Sequence, residues 1–403
     1  ASLFTNFSTN GYTSLNNLTI SSNDLSMNML QLKSGAQANK YLSASVVQFN
    51  TTNKLVLTRY TSAGIIDTSF SIDGIKALNI NVAFKAVTLK ELSDGSIIIV
   101  GTQINGLTEE GFIAKVDQDG YLDDSFATEG IYTTVDILNT DINFVDVAID
   151  SGGYIVAVGS STNALSVTRS FATMLKSDGK LENSFGTSGA YYGNIDEFFE
   201  TLYIDINKDI FIAGKQVSGS DSQLIMLKID DDANEIFTYT DTRITADITD
   251  SATKVLADSA GNLYLIANEG TTPNQAVIIK LAPEGDEDSS FAASGVGQYQ
   301  LAPSSDTKVT DAALDTSGNI VLSGMSESKG MIARILANGT LDTLFGPNAL
   351  GYYQAEQCDS THQFTSMLLQ TDAQVVLSST CFDGTSNNVS VSKFDFYADG
   401  VKP

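Results

Sequence analysis

Between residues 144 and 160 the chain reads FVDVAIDSGGYIVAVGS: an alternating run, a Ser-Gly-Gly break, then a run that is apolar on both faces. Alternation with a period of two marks a half-buried strand, and a short continuous apolar run bounded by turn residues marks a fully buried one. The run FATMLK and the turn SDGK follow after a loop, and the same order returns at 309–340 as VTDAALD, TSGN, IVLSG, MIARIL and ANGT. Each segment predicts three antiparallel strands joined by short turns. A fourth and more variable strand comes next, as in IYTTVDI.

The joint between third and fourth strands is nearly the same each time. Phe70, Phe126, Phe185, Phe291 and Phe345 stand in IDTSFSIDGI, LDDSFATEGI, LENSFGTSGA, EDSSFAASGV and LDTLFGPNAL, and a weaker copy, ANEIFTYTDT, carries Phe237. In chain order these six phenylalanines are 56, 59, 52, 54 and 54 residues apart, the length of a four-stranded unit with its turns. A turn glycine stands six residues before the Phe (Gly64, Gly120, Gly179, Gly285, Gly339), with Asp231 in its place in the weak copy. A second stands four residues after it at Gly74, Gly130, Gly189 and Gly295. Glycine at fixed offsets implies positive φ or a close backbone approach, and neither is catalytic.

A sheet that is apolar on both faces must be covered on both, and four-stranded units of this length achieve that by packing radially as blades. After VSKFDFYADG the sequence stops at Pro403, where a joint and an outer strand are due. The missing piece stands at the other end, where NFSTNGYTSL places Phe7 four residues before Gly11, as Phe126 precedes Gly130. The expected fold is all-β: residues 1–403 as one seven-bladed β-propeller of four-stranded antiparallel blades, with 1–17 supplying the outer strand of the last blade. By this register blade 1 covers 24–78 and blade 7 combines 364–398 with the strand from Gly11. Such closure removes the sheet edges that would otherwise seek partners.

The pattern of a strand, a DG-type turn, D-x-S-F and a glycine resembles the delta-60 repeat, a bacterial β-propeller repeat, over nearly the whole chain. Five copies match well, and the copy at Phe237 departs by lacking the Ser and both glycines. The resemblance implies an exported or surface protein, often a piece of a larger chain, and it brings no catalytic residues.

Charge narrows the partners. With 22 Lys and Arg against 48 Asp and Glu the net charge is -26, a field that repels phosphate backbones and makes nucleic acid an unsuitable partner. No apolar run approaches ~18 residues, so no membrane span is expected. The chain begins at Ala1 without Met, as it would after removal of a signal peptide or after trimming. Cys358 and Cys381 are the two cysteines, and neighbouring strands could bring them into a disulfide or keep them as buried thiols.

Arg59, Lys115, Lys176, Lys228, Lys280, Arg334 and Lys393 each fall in a third strand, away from any channel, and are expected to pair with the acid of D-x-S-F. The acidic turns VDQDGYLDD and KIDDDANE lack the full spacing of a calcium loop and read first as hairpin turns. Convergence is instead supplied by the ring, at the mouth where loops lead into the innermost strands. Those loops carry Asp24, Asp141, Asp196, Glu197, Asp250, Asp306 and Asp359, and the strand starts add Asn28, Asp146, Thr253, Asp311 and Ser366. His362, the lone histidine, lies in CDSTHQF on the loop into blade 7; alone it excludes a multi-histidine zinc site, and no motif makes it the base of Cys358.

Asn28, Asp141, Asp146, Asp250, Asp311, Asp359 and His362 are therefore the candidate ligand residues, with calcium as the candidate cofactor and no catalytic residue assigned. No G-x-S-x-G, H-E-x-x-H or phosphate loop occurs. The reading is a secreted or surface-exposed, non-enzymatic binding propeller, periplasmic location being an alternative, either a monomer or part of a larger surface protein. Its partner would be an extracellular glycan or protein. The alternative is a polysaccharide hydrolase or lyase acting at the channel mouth, for which 48 acids supply many chance pairs.

Overall fold

The computed structural model describes residues 2–3, 12–15, 25–49, 52–83, 85–134, 141–243, 250–270, 273–301, 306–346, 350–355, 358, 360–371, 374–382, 384 and 386–396. Seven antiparallel sheets follow one another along the chain, at 25–81, 88–133, 141–195, 197–240, 251–299, 307–355 and 361–395. The first six have four strands each, and the seventh completes itself with Tyr12–Leu15 and Ser2–Leu3, both paired antiparallel to Asn387–Asp395. The seven-bladed propeller and its closure by an N-terminal strand are thus present. Two boundaries differ: the inner strand of blade 7 begins at Thr361, and the outer strand of blade 1 runs on to Asn81. Phe7, Gly11, Asp24 and Asp359 lie outside the described residues.

Second strands behave as their runs predict. Ile97, Ile98, Ile99 and Val100 are all fully buried, because alternate side chains enter the cores on the two sides of the blade. The joint phenylalanines are wedges between blades. Phe70 belongs to the core shared with blade 2, Phe126 to that with blade 3, and Phe185 to that with blade 4. Three of the rings lie on the turn glycine of the following blade: a Cβ at Gly120 would stand 2.8 Å from Phe70, one at Gly179 would stand 3.0 Å from Phe126, and one at Gly285 would stand 2.7 Å from Phe237. The weak fourth joint keeps this contact although Phe237 has become part of a longer outer strand, Glu235–Thr240.

The third-strand cations pair with the joint acids. Arg59 meets Asp67 at 2.6 Å, Lys280 meets Asp288 at 2.8 Å, and Arg334 meets Asp342 at 2.6 Å. Arg59 is wholly buried, lies 4.9 Å from the Phe70 ring centre, and also donates to Asp119 and the Gln118 carbonyl of the next blade. Burial opposes ionisation of Asp67, but Lys40, Ser69 and Arg59 together hold its carboxyl well below the usual range. Lys228, whose joint lacks the acid, turns to Asp209 at 2.7 Å.

Candidate functional site at the central channel

Six inner strands carry the same irregularity, a one-residue bulge near the start, at Met27, Val145, Glu200, Thr253, Thr310 and Thr365. A bulge brings the backbone close to the second strand, so the facing position is small: a Cβ at Gly159, Gly214 or Gly324 would meet the carbonyl of Asn143, Phe198 or Lys308 at 2.0 Å or less. The residue after the bulge is polar in each blade and sits at one level of the ring. That level holds Asn28, Asp146, Thr201, Lys254, Asp311 and Ser366, with Thr88 opposite Val100 as the blade 2 equivalent.

These polar groups tie each blade to the next. The Asn28 Oδ1 accepts the Leu89 N–H at 3.1 Å, and the Thr88 hydroxyl donates to the Val145 carbonyl at 2.9 Å. Asp146 Oδ2 accepts the Thr201 hydroxyl and the Leu202 N–H, and Glu200 accepts the Ala252 N–H at 2.6 Å. Lys254 meets Asp311 at 3.0 Å, Asp311 accepts the Met367 N–H at 2.8 Å, and the Ser366 hydroxyl accepts the Met29 N–H at 3.3 Å. All seven interfaces carry such a tie, so the belt closes.

The belt surrounds the waist of a channel. A cavity of about 540 Å³ opens where the inner strands begin, and one of about 810 Å³ opens where they end. Asn28, Lys90, Lys254 and Asp311 line both. The upper mouth carries the hydroxyl and amide side chains of Thr88, Ser251, Asn268, Thr361, Gln363 and Asn387 from three blades, with the charged Glu200 and Lys308 beside them. Volumes of this order suit a small ligand or the end of a chain.

Of the sequence candidates, Asn28, Asp146 and Asp311 line the channel, and each is also engaged in the belt. Asp141 and Asp250 do not line it. Their carboxylates accept the Glu109 and Gly270 N–H groups at 3.0 and 2.8 Å, and so cap nearby hairpins. His362 is a correction: it lies in the strand Thr361–Thr371 rather than on a loop, only 2% exposed, against Phe364 and Gly330. Strand alternation turns Thr361 and Gln363 to the channel and His362 to blade 6. Burial pushes its imidazole down to about 4, with a weaker opposing pull from the Ala355 backbone. Cys358 and Cys381 are joined in a disulfide, their Cα atoms 5.7 Å apart. Among the described residues no group of three or more His, Cys, Asp or Glu side chains could hold a metal ion, and no helix is long and apolar enough to cross a membrane.

Sequence reasoning missed Glu200, Lys254 and Lys90. Burial pushes the Glu200 carboxyl up to about 7, against Lys215 and the Ala252 N–H, with Asp250 adding to the rise. Lys254 is held above the usual lysine range, chiefly by Asp311. Aligning the inner strands by the residue after the bulge would have found Glu200 and Lys90, whose counterparts are apolar, aromatic or hydroxylated, and would have shown Lys254 as the one cation at a level that also carries Asp146 and Asp311.

No protein-family model matches the chain, and no curated protein matches it. Among solved structures, prolyl oligopeptidase B from Galerina marginata aligns with a TM-score of 0.50 at 10% identity over 93% of this chain and 48% of that one. The polysaccharide lyase PL25-ulvanlyase aligns with a TM-score of 0.49 at 8% identity over 94% and 95% of the two chains. A Hadza microbial sialidase aligns with a TM-score of 0.45 at 8% identity over 88% and 76%. Likeness at such identity is one of fold.

Proposed function

We propose that this is an exported, non-enzymatic binding propeller of the delta-60 repeat type whose ligand, an extracellular glycan, enters the upper mouth of the central channel. The observation that carries this is the mouth itself, where hydroxyl and amide side chains from three blades converge on one cavity. Sugars present hydroxyl groups in many directions, and short polar side chains on rigid strands can meet them without large ordering costs. The disulfide supports a location outside the cytoplasm, at the cell surface, in the medium or in the periplasm. A glycan array read with and without calcium tests the reading. Binding of defined glycans with no cleavage of the hits is the expected result, and an array without hits refutes it. Calcium belongs to the proposal only if its removal weakens those hits.

One observation favours a second reading. Glu200 lines the upper mouth with its carboxyl pushed up to about 7, a value suited to a general acid or base near neutral pH. Cleavage of a bound polysaccharide that is lost in Glu200→Gln would make the protein a hydrolase or lyase.

A further inference from the structure

Two residues beyond the belt, the inner strands form a second ring around the channel. It consists of Leu30, Ala148, Tyr203, Leu256, Ala313 and Leu368, with Lys90 as the seventh member. Lys90 is thus the one charged side chain at a level that is otherwise apolar or aromatic. It lines both mouth cavities and a third of about 480 Å³, and Lys254 lines all three with it.

Lys90 has no carboxylate within ion-pairing distance among the described residues. The acids that face it, Asp146 of the next blade and Asp311 of blade 6, attract it through space but are engaged elsewhere. Asp146 accepts from Thr201, Leu202 and Val147, and Asp311 from Lys254, Ala312 and Met367. The remaining cations around it, Lys254 and Lys33, repel it. Burial and then Lys254 hold the Lys90 ammonium below the usual lysine range. An ammonium in an apolar ring, flanked by a second ammonium, is costly unless an anion offsets it. Lys254 is itself fixed by Asp311 and retains donors for a second acceptor.

We propose that Lys90 and Lys254 form an anion site at the channel waist, which holds the carboxylate or sulfate of an acidic sugar whose hydroxyl groups face the polar mouth. The inference rests on the glycan reading for the source of the anion, but the site itself can be tested without it. In a chain of net charge -26, two cations at the end of a polar funnel select acidic over neutral sugars.

The test compares wild type, Lys90→Met and Lys90→Arg. Melting temperatures are read in sodium glucuronate and sodium sulfate at about 50 mM, against sodium chloride of equal ionic strength. Both anions should raise the wild-type and Lys90→Arg melts above the chloride control and leave Lys90→Met unmoved. Without ligand, Lys90→Met should melt at or above wild type, since it loses a cation that has no partner; were it to unfold, Lys90→Gln takes its place. Trigalacturonate should bind Lys90→Met at least tenfold more weakly than wild type, and its methyl ester should lose the same factor on wild type. Equal anion responses in wild type and Lys90→Met overturn the site, even if neutral glycans bind at the mouth. A response that needs Lys90, joined to an array without hits, retains the site and removes the glycan reading.

Discussion

The Ser366 hydroxyl accepts the backbone N–H of Met29 at 3.3 Å, joining blade 7 to blade 1 across 337 residues of chain. It is the last tie of a belt whose other members are also polar or charged side chains on inner strands. The ties are unequal in strength. Ser366→Ala removes one neutral hydrogen bond and should cost about 1 kcal/mol. Asp311→Ala leaves the Met367 N–H and Lys254 without their acceptor and should cost about 3 kcal/mol. Denaturant unfolding that finds the two equal would contradict the belt.

Phe70 and Gly120 make a second prediction. Gly120 has φ +79°, and a Cβ there would stand 2.8 Å from the Phe70 ring. Gly120→Ala therefore combines an unfavourable backbone with a clash and should destabilise by about 2–4 kcal/mol. Phe126→Ala, which empties the corresponding wedge between blades 2 and 3, should cost about 3–5 kcal/mol. Wild-type-like melting of either variant would show that the joints are not wedges.

The pH dependence has two opposed parts. His362 falls to about 4 from its ordinary 6.5, so its contribution is complete above about pH 6.5 and is lost as pH falls towards 4. Glu200 rises to about 7 from 4.5, so its contribution is complete below about pH 4.5 and is lost as pH rises through 7. Each amounts to roughly 3 kcal/mol at most, and between pH 5 and 6.5 they nearly cancel. His362→Leu should therefore gain stability as pH falls from 7 to 5, and Glu200→Gln should lose it. Thermal melts across this range check both slopes, and parallel slopes in the two variants would contradict the assignment.

Closure of the ring depends on two further features at blade 7. The disulfide closes a loop with a sequence separation of 23, and its reduction should cost on the order of 3 kcal/mol. Removing residues 1–17 deletes Tyr12–Leu15 and Ser2–Leu3 from Asn387–Asp395, which then becomes a free edge. A lower melting temperature and concentration-dependent association are expected on light scattering. An unchanged melt would show that the N-terminal strand does not hold the ring.

Much of this was legible in the chain. Period-two alternation, glycine at fixed offsets and the recurring Phe specify four-stranded units, because these patterns depend on backbone conformation and local burial. They also specify the number of blades and the pairing of Arg59 with Asp67 or Arg334 with Asp342, since both partners lie within one repeat. The channel was legible only in part. Asn28, Asp146 and Asp311 could be placed at the ring's centre, but their hydrogen bonds go to Leu89, Leu202 and Met367 in the next blade. His362 looked like a loop residue and is buried against Phe364, because the strand begins before it. Nothing in the local pattern sets Lys90 apart from the other 21 Lys and Arg residues. Only the ring, by bringing seven inner strands to one axis, set it among Leu30, Leu256 and Leu368 with its nearest acids already bonded. Local pattern is written residue by residue, whereas the environment of a channel side chain is made by blades that are remote in sequence.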